Sequence, residues 1–304
     1  MAESLADFLA TPASVMRVRV ARAHGSAPRE EGAEMFVTPS AQWGTIGGGQ
    51  LEYMAIDQAR AQLRAATGAP GTNADTGGQN LLEDFAAAEF SRKFCAQDPA
   101  VVLDIPLGPA IGQCCGGRVV LRLEQLGPEG RDAALRREAA ARATQPHLLI
   151  FGAGHVGRAL ADLAQHLPVT CRLIDSRAAE LGQSAAAVAK RLSALPEADL
   201  RAAPPGSAFV MATHDHALDF LLAAEALRRR DAAYAGMIGS ASKRASFAGW
   251  CRRAAPDVPL DALTCPIGAA GRGDKRPAVI AAFTLAEALA ALARAPAPQT
   301  VRLP

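Results

Sequence analysis

The run His147-Leu148-Leu149-Ile150-Phe151 passes straight into Gly152-Ala153-Gly154-His155-Val156-Gly157, and this junction constrains the fold more than any other part of the chain. A short apolar run followed by G-x-G-x-x-G predicts a buried strand that turns at once into a helix. The first glycine permits the tight turn, the second lets backbone approach a phosphate, and the third lets the helix pack on the strand. The N–H groups at the helix start then face an anion. Val156, Leu160, Leu163 and Leu167 follow on one helical face. Asp175 ends the next apolar strand, Cys171 to Ile174, 18 residues after Gly157, where an acid can bind a ribose hydroxyl. Ala208 to Ala212 and Ala235 to Ile238 are further apolar strands, each trailed by a helical segment. The rhythm predicts an α/β fold with a C-terminal Rossmann-like, doubly wound parallel sheet. Glycines serving only the packing would leave the same pattern, so the fold follows more directly than a bound nucleotide.

Two other motifs fall at the C-terminal ends of these strands, the edge that faces the ligand crevice in an open α/β sheet. Thr213-His214-Asp215-His216 offers two histidines for metal or proton chemistry, or equally a solvated loop that caps a helix. Met237-Ile238-Gly239-Ser240 leads to Lys243 and Arg244. Ser240 can cap a helix there, and the two cations can neutralise a phosphate or simply be solvated.

The remaining length implies a second unit, since 304 residues exceed one ordinary domain. Charged residues around Pro128 and Pro146 mark residues 127–146 as a connector, between a first domain over 1–126 and a second over 147–304. Residues 67–80 are rich in Gly, Thr and Asn and predict a surface loop. The first domain alternates short strands (Val15 to Val20, Glu34 to Pro39, Thr45-Ile46, Ala100 to Ile105, Arg118 to Leu123) with helices at Leu5 to Leu9 and from Leu51 onward. Leu51, Met54, Ala55 and Gln58 share one face of the second helix. The mixture without βα alternation predicts an α+β domain.

Charge and cysteine usage narrow the function. With 32 basic against 30 acidic residues there is no electrostatic footprint for nucleic acid or a membrane surface. The longest uncharged run, Met35 to Leu51, contains Pro39 and four glycines and cannot span a bilayer. The N-terminus lacks a basic start followed by an apolar run, and six cysteines make no disulfide framework, so the expected compartment is the reducing cytoplasm. Of the six, Cys95, Cys171 and Cys251 read as structural and Cys265 stays undecided. Cys114 and Cys115 are adjacent, too close for an ordinary disulfide, and sit among glycine N–H groups that can lower a thiol's pKa. A soft thiolate suits a soft metal or a transferred sulfur, although buried thiols acting as small hydrophobes would also fit. Gly47-Gly48-Gly49 before a helix offers an anion nest, and Arg29 in Gly25-Ser26-Ala27-Pro28-Arg29 is a bidentate partner for a phosphate. Ordinary turns would also use those glycines.

In one order the chain carries GSAPREEGAEMFV, GTIGGGQLE, GQCCGGRVVL, IFGAGHVGRAL, LIDSR, MATHDHALD, MIGSASKRASF and CPIG…PAVIAAFTLAEAL. That set resembles the XdhC/CoxI family of xanthine dehydrogenase accessory proteins over nearly the whole length. The resemblance implies an N-terminal XdhC-type domain and a C-terminal Rossmann domain. It also implies a non-catalytic chaperone that binds molybdenum cofactor (Mo-molybdopterin) as cargo, protects it during sulfuration and delivers it to apo-xanthine dehydrogenase. The implied partners are the xanthine dehydrogenase molybdenum subunit, a cysteine desulfurase and the molybdenum cofactor biosynthesis proteins. Mapped onto this chain, the cargo's phosphate falls to Arg29, Gly47, Gly48 and Gly49, and its molybdenum to Cys114 and Cys115. The Rossmann residues Gly152, Gly154, Gly157, Asp175, Ser240 and Lys243 form a second anion site, for that phosphate or a nucleotide. Where many relatives have Cys after the triple glycine this chain has Gln50, which leaves Cys114 and Cys115 as the thiol candidates. Residues 268–275 also depart from the commoner Gly-Ala-Lys-Thr-Pro wording, towards relatives that travel with xanthine dehydrogenase itself rather than with CO dehydrogenase. The helix expected over Pro277 to Arg294 is apolar on most faces, so it is either buried or the interface of a homo-oligomer. One alternative is an NAD(P)-dependent oxidoreductase, which would explain the fingerprint and Asp175 but leave the first half idle; another is a non-catalytic nucleotide-sensing module.

Overall fold

The computed structural model describes residues 4–67, 91–94, 100–109, 116–271 and 273–295. The loop expected over 67–80 falls, beyond its first residue, outside them, as do Cys95, Cys114 and Cys115. The chain forms two compact units, residues 1–137 and 138–304.

In the first unit a six-stranded antiparallel sheet has the order β3-β2-β1-β6-β5-β4. Its strands are β1 (Val15–His24), β2 (Glu34–Val37), β3 (Gln42–Gly44), β4 (Ser91–Phe94), β5 (Val101–Pro106) and β6 (Arg118–Leu126). Alternation along β1 sends Met16, Val18 and Val20 to one face, where helix α2 (Gly49–Thr67) covers them with Leu51, Met54, Ala55, Ala59 and Leu63. Gln58 is buried as well, as its place on that helical face predicts. On the opposite face of β1, Arg19 and Ala21 are exposed while the start of the strand is covered. Val15 and Phe36 pack there with Leu5, Phe8 and Leu9 of α1 (Leu5–Leu9) and with Ala134 of α3 (Pro128–Ala143). Arg17 lies between Glu34 and Glu124, its charge balanced from two neighbouring strands. Thr45-Ile46 is a loop rather than a strand, because the pairing of β3 ends at Gly44, whose φ is +79°.

The second unit holds a parallel six-stranded sheet of order β9-β8-β7-β10-β11-β12. Its strands are β7 (His147–Phe151), β8 (Thr170–Asp175), β9 (Ala189–Leu192), β10 (Ala208–Met211), β11 (Tyr234–Met237) and β12 (Leu263–Thr264). Numbered from β7 the order is 3-2-1-4-5-6, the Rossmann arrangement, with the chain reversing direction across the sheet between β7 and β10. Leu148, Ile150, Ala208 and Val210 face α4 (His155–Ala164) and α9 (Pro277–Leu292), while Leu149, Phe151, Phe209 and Met211 face α7 (His216–Arg228) and α8 (Ala241–Ala254). Burial on both faces is why these strands read as unbroken apolar runs. α9 buries Ala281, Thr284, Leu285, Ala288 and Leu292, and leaves Ala278, Ala282, Phe283, Ala286 and Ala290 exposed. The short helices α5 (Ala178–Gly182) and α6 (Pro196–Arg201) complete the unit.

Candidate functional site

Two loops that the sequence singled out and the Gly116-Gly117 step come together at one end of the antiparallel sheet. Gly47 has φ +125°, and a Cβ on it would lie 2.5 Å from Cβ of Pro28 and 3.4 Å from Cγ of Arg29. The Thr45–Gly49 loop therefore rests on the Gly25–Arg29 loop, with space only for glycine. A Cβ on Gly117 would lie 2.5 Å from the carbonyl oxygens of both His24 and Ser26. The segment leaving the Cys114-Cys115 pair thus returns to the described chain against the Arg29 loop. The half-buried Arg29 has no hydrogen-bonding or ionic partner among the described residues, so its fork of donors is available to a ligand.

The glycine nest itself is filled. Glu52, in the first turn of α2, reaches back, and its Oε2 accepts from Thr45 Oγ1 (2.5 Å), the Ile46 N–H (3.0 Å) and the Gly48 N–H (3.1 Å). Thr45 Oγ1 in turn accepts from the Gly47 N–H at 3.0 Å. The expectation that Gly47 and Gly48 cradle an outside anion is corrected by this internal carboxylate, and Gly49 opens the helix. Sequence reasoning missed Glu52, although a carboxylate three residues into a helix from its start is a capping signal. It also set Gln50 aside. The Gln50 Nε2 is buried with no acceptor among the described residues, a donor left unsatisfied beside the same loops.

In the Rossmann unit the fingerprint glycines do what the spacing predicts for packing. A Cβ on Gly152 would lie 2.2 Å from the Ala212 carbonyl oxygen, and one on Gly157 only 1.8 Å from the Gly152 carbonyl oxygen. Gly154 caps α4 without a side chain, and space is open beside it. Phe151, Gly152, Asp175, Ser176, Pro196, Thr213, His214 and Leu218 line a crevice of about 250 Å³, open mouth included, at the switch between β7 and β10. Its enclosed room is only about 10 Å³, far below the usual size of a small-molecule site.

The polar residues around this crevice are engaged with one another. Asp175, with its side chain 4% exposed, accepts from the Ala153 N–H (2.7 Å) and the Arg177 N–H (2.9 Å), and pairs with the Arg177 guanidinium. Burial pushes its carboxyl up, but the Arg177 side chain and the two N–H groups outweigh burial and hold it below the usual carboxylate range. Lys243 was expected to meet a phosphate. Instead its ammonium lies 2.5 Å from Asp219, a fully buried carboxylate that also accepts from the Thr213 N–H and hydroxyl. Ser240 caps α8 by accepting from the Lys243 N–H, and Asp215 caps α7 by accepting from the Ala217 N–H. Arg244 donates to the Leu263 carbonyl. Thr213-His214-Asp215-His216 is therefore mainly a capping loop. Among the described residues no three His, Cys, Asp or Glu side chains are grouped to hold a metal.

Cys171, Cys251 and Cys265 are free and buried. Burial pushes the Cys171 thiol up to about 12 and raises Cys251. It raises Cys265 too, against the pull of Lys243 and Arg244. These three are poor nucleophiles near neutral pH.

A family model described as the XdhC and CoxI family matches residues 9–72, which contain the Arg29 and triple-glycine loops. A second, described as the XdhC Rossmann domain, matches residues 148–288. Cys114 and Cys115 fall outside both spans. Among solved structures, the chain is similar to one described as a xanthine dehydrogenase from Bacillus halodurans, with 17% identity, a TM-score of 0.70, and coverage of 99% of this chain and 97% of the other. No curated protein matches.

Proposed function

This chain belongs to the XdhC/CoxI family, and on that premise we propose that it is an accessory protein of xanthine dehydrogenase maturation. In this reading it binds molybdenum cofactor as cargo in the cytoplasm, holds it while a cysteine desulfurase supplies the sulfido ligand, and hands it to the apo-enzyme's molybdenum subunit. Sulfur transfer belongs to the desulfurase and hydroxylation to the target enzyme, so the chain's work is binding, orientation and protection.

The observation that supports the reading is the close packing of the Gly25–Arg29 loop against Gly47 on one side and Gly117 on the other, with Arg29 lacking a polar partner among the described residues. Arg29 supplies a planar fork suited to a phosphate monoester. The unsatisfied amide nitrogen of Gln50 suits a carbonyl or ring-nitrogen acceptor on a pterin. Glu52 holds the glycine loop in shape rather than binding cargo, which moves the phosphate role from the backbone nest to Arg29. Cys114 and Cys115 remain the thiols assigned to the molybdenum end, where a soft sulfur donor fits.

The test is cofactor content. Protein purified from cells that make the cofactor should carry molybdenum and pterin, and Arg29→Ala should lose most of both while keeping its fold. Cys114→Ser with Cys115→Ser should lose molybdenum or its sulfido group. Equal molybdenum and pterin in the parent and Arg29→Ala would reject the assignment of the loop cluster. Unchanged molybdenum and sulfido content in the double serine variant would reject the thiols.

A further inference from the structure

A Rossmann unit implies a dinucleotide, and the residues here do not fit one. The usual recognition runs through the acid at the end of the second strand, whose oxygens accept the ribose hydroxyls. In this chain that acid is Asp175. Its Oδ2 accepts from the Ala153 N–H at 2.7 Å and from Arg177 Nη2 at 2.9 Å. Its Oδ1 accepts from the Arg177 N–H at 2.9 Å and from Arg177 Nε at 3.0 Å. A carboxylate has about four lone-pair positions, and four donors already fill them. Two of the four come from the backbone beside the site, one of them from inside the glycine loop, so the carboxylate ties that loop to the end of β8. The others come from the guanidinium of a residue two positions on, held against Glu180 as well. A ribose diol would have to displace this fork from a side chain that is 4% exposed. Space points the same way, since the crevice beside Gly152 and Asp175 is about 250 Å³ including its mouth.

We infer that Asp175 is an internal latch on the glycine loop, paired with Arg177, and that this Rossmann unit does not take nucleotides that dock through a ribose diol. The G-x-G-x-x-G pattern is then retained for the close strand–helix approach that Gly152 and Gly157 permit. The inference is independent of the cofactor-chaperone reading, because neither Arg29 nor the Cys114-Cys115 pair enters it.

The experiment is a fluorescence titration of the full-length protein with NADH, together with thermal unfolding of Asp175→Asn. The parent should show no saturable NADH signal up to about 1 mM, a concentration that would reveal even weak binding. Asp175→Asn keeps the shape but loses the charged acceptor, so the midpoint of its unfolding should fall by at least about 4 °C. Saturable NADH binding by the parent would overturn the exclusion, whatever its dependence on Asp175. An Asp175→Asn midpoint equal to the parent's would overturn the latch. Neither result involves pterin or molybdenum, so neither can be mistaken for failure of the proposed function.

Discussion

Replacing Lys243 with Met separates two roles for this lysine that the sequence leaves open. If Lys243 waits for a ligand's phosphate, Lys243→Met lowers ligand affinity and leaves stability alone. The structure assigns it to Asp219, which is fully buried, while the lysine side chain itself is only 10% exposed. Removing the ammonium leaves a buried carboxylate with only the Thr213 N–H and hydroxyl as donors. Breaking a buried pair from one side costs about 3–5 kcal/mol. The second unit spans residues 138–304, and for that size each kcal/mol moves the midpoint by about 2–4 °C, so a fall on the order of 6–20 °C is expected. Trp250 lies on the same helix as Lys243, and Trp43 belongs to the first unit, so a Trp43→Phe background isolates the signal. Urea unfolding followed by Trp250 fluorescence then measures the loss. Adding Asp219→Asn removes the stranded charge but keeps an acceptor for Thr213, and should restore most of the stability, a coupling that the double-mutant cycle reads directly. A Lys243→Met variant within about 0.5 kcal/mol of the parent would refute the reasoning.

Three further outcomes are expected. Glu52→Ala strands the Thr45 hydroxyl and the Ile46 and Gly48 N–H groups and should destabilise the first unit by about 1–2 kcal/mol, measured by Trp43 fluorescence in a Trp250→Phe background. With its thiol pushed up to about 12, Cys171 should be alkylated at pH 8 more than about a thousandfold slower than an unperturbed cysteine, as timed by peptide mass spectrometry. Asp175 has its folded-state pKa depressed, so its stabilising effect is fully present above the unfolded value of about 4 and is lost as pH falls through the folded value. Asp175→Asn should therefore lie below the parent by a nearly constant amount between about pH 6 and 8, and the gap should close along a flatter acid limb.

Legibility in the sequence tracks how local the physical constraint is. His147 to Gly157 declared a strand, a turn and a helix because each step depends on neighbours in the chain, and β7 and α4 lie there. The parallel sheet was legible because its central strands are buried on both faces. The first unit was readable from the alternation in β1 and the inner face of α2. Its second small core was not, since nothing in the spacing of Arg17 shows that Glu34 and Glu124 will surround it. The same limit applies around the candidate sites. Gly47, Gly48, Asp175 and Lys243 were each recognised as able to meet an anion or a ligand hydroxyl. That their partners would be Glu52, Arg177 and Asp219 depends on side chains reaching across loops, which no periodicity records. Arg29 was legible as a cation, but that no described residue pairs with it is a property of the fold alone.

The most direct test of the account is delivery. Protein loaded with molybdenum cofactor and sulfurated by a cysteine desulfurase should be mixed with apo-xanthine dehydrogenase, and xanthine oxidation followed while pterin is measured on both proteins. The account predicts that activity appears as pterin leaves this chain and enters the enzyme in matching amounts, faster than with free cofactor at the same concentration. Activity no greater than with free cofactor, with pterin retained on the chain or never bound to it, would contradict it.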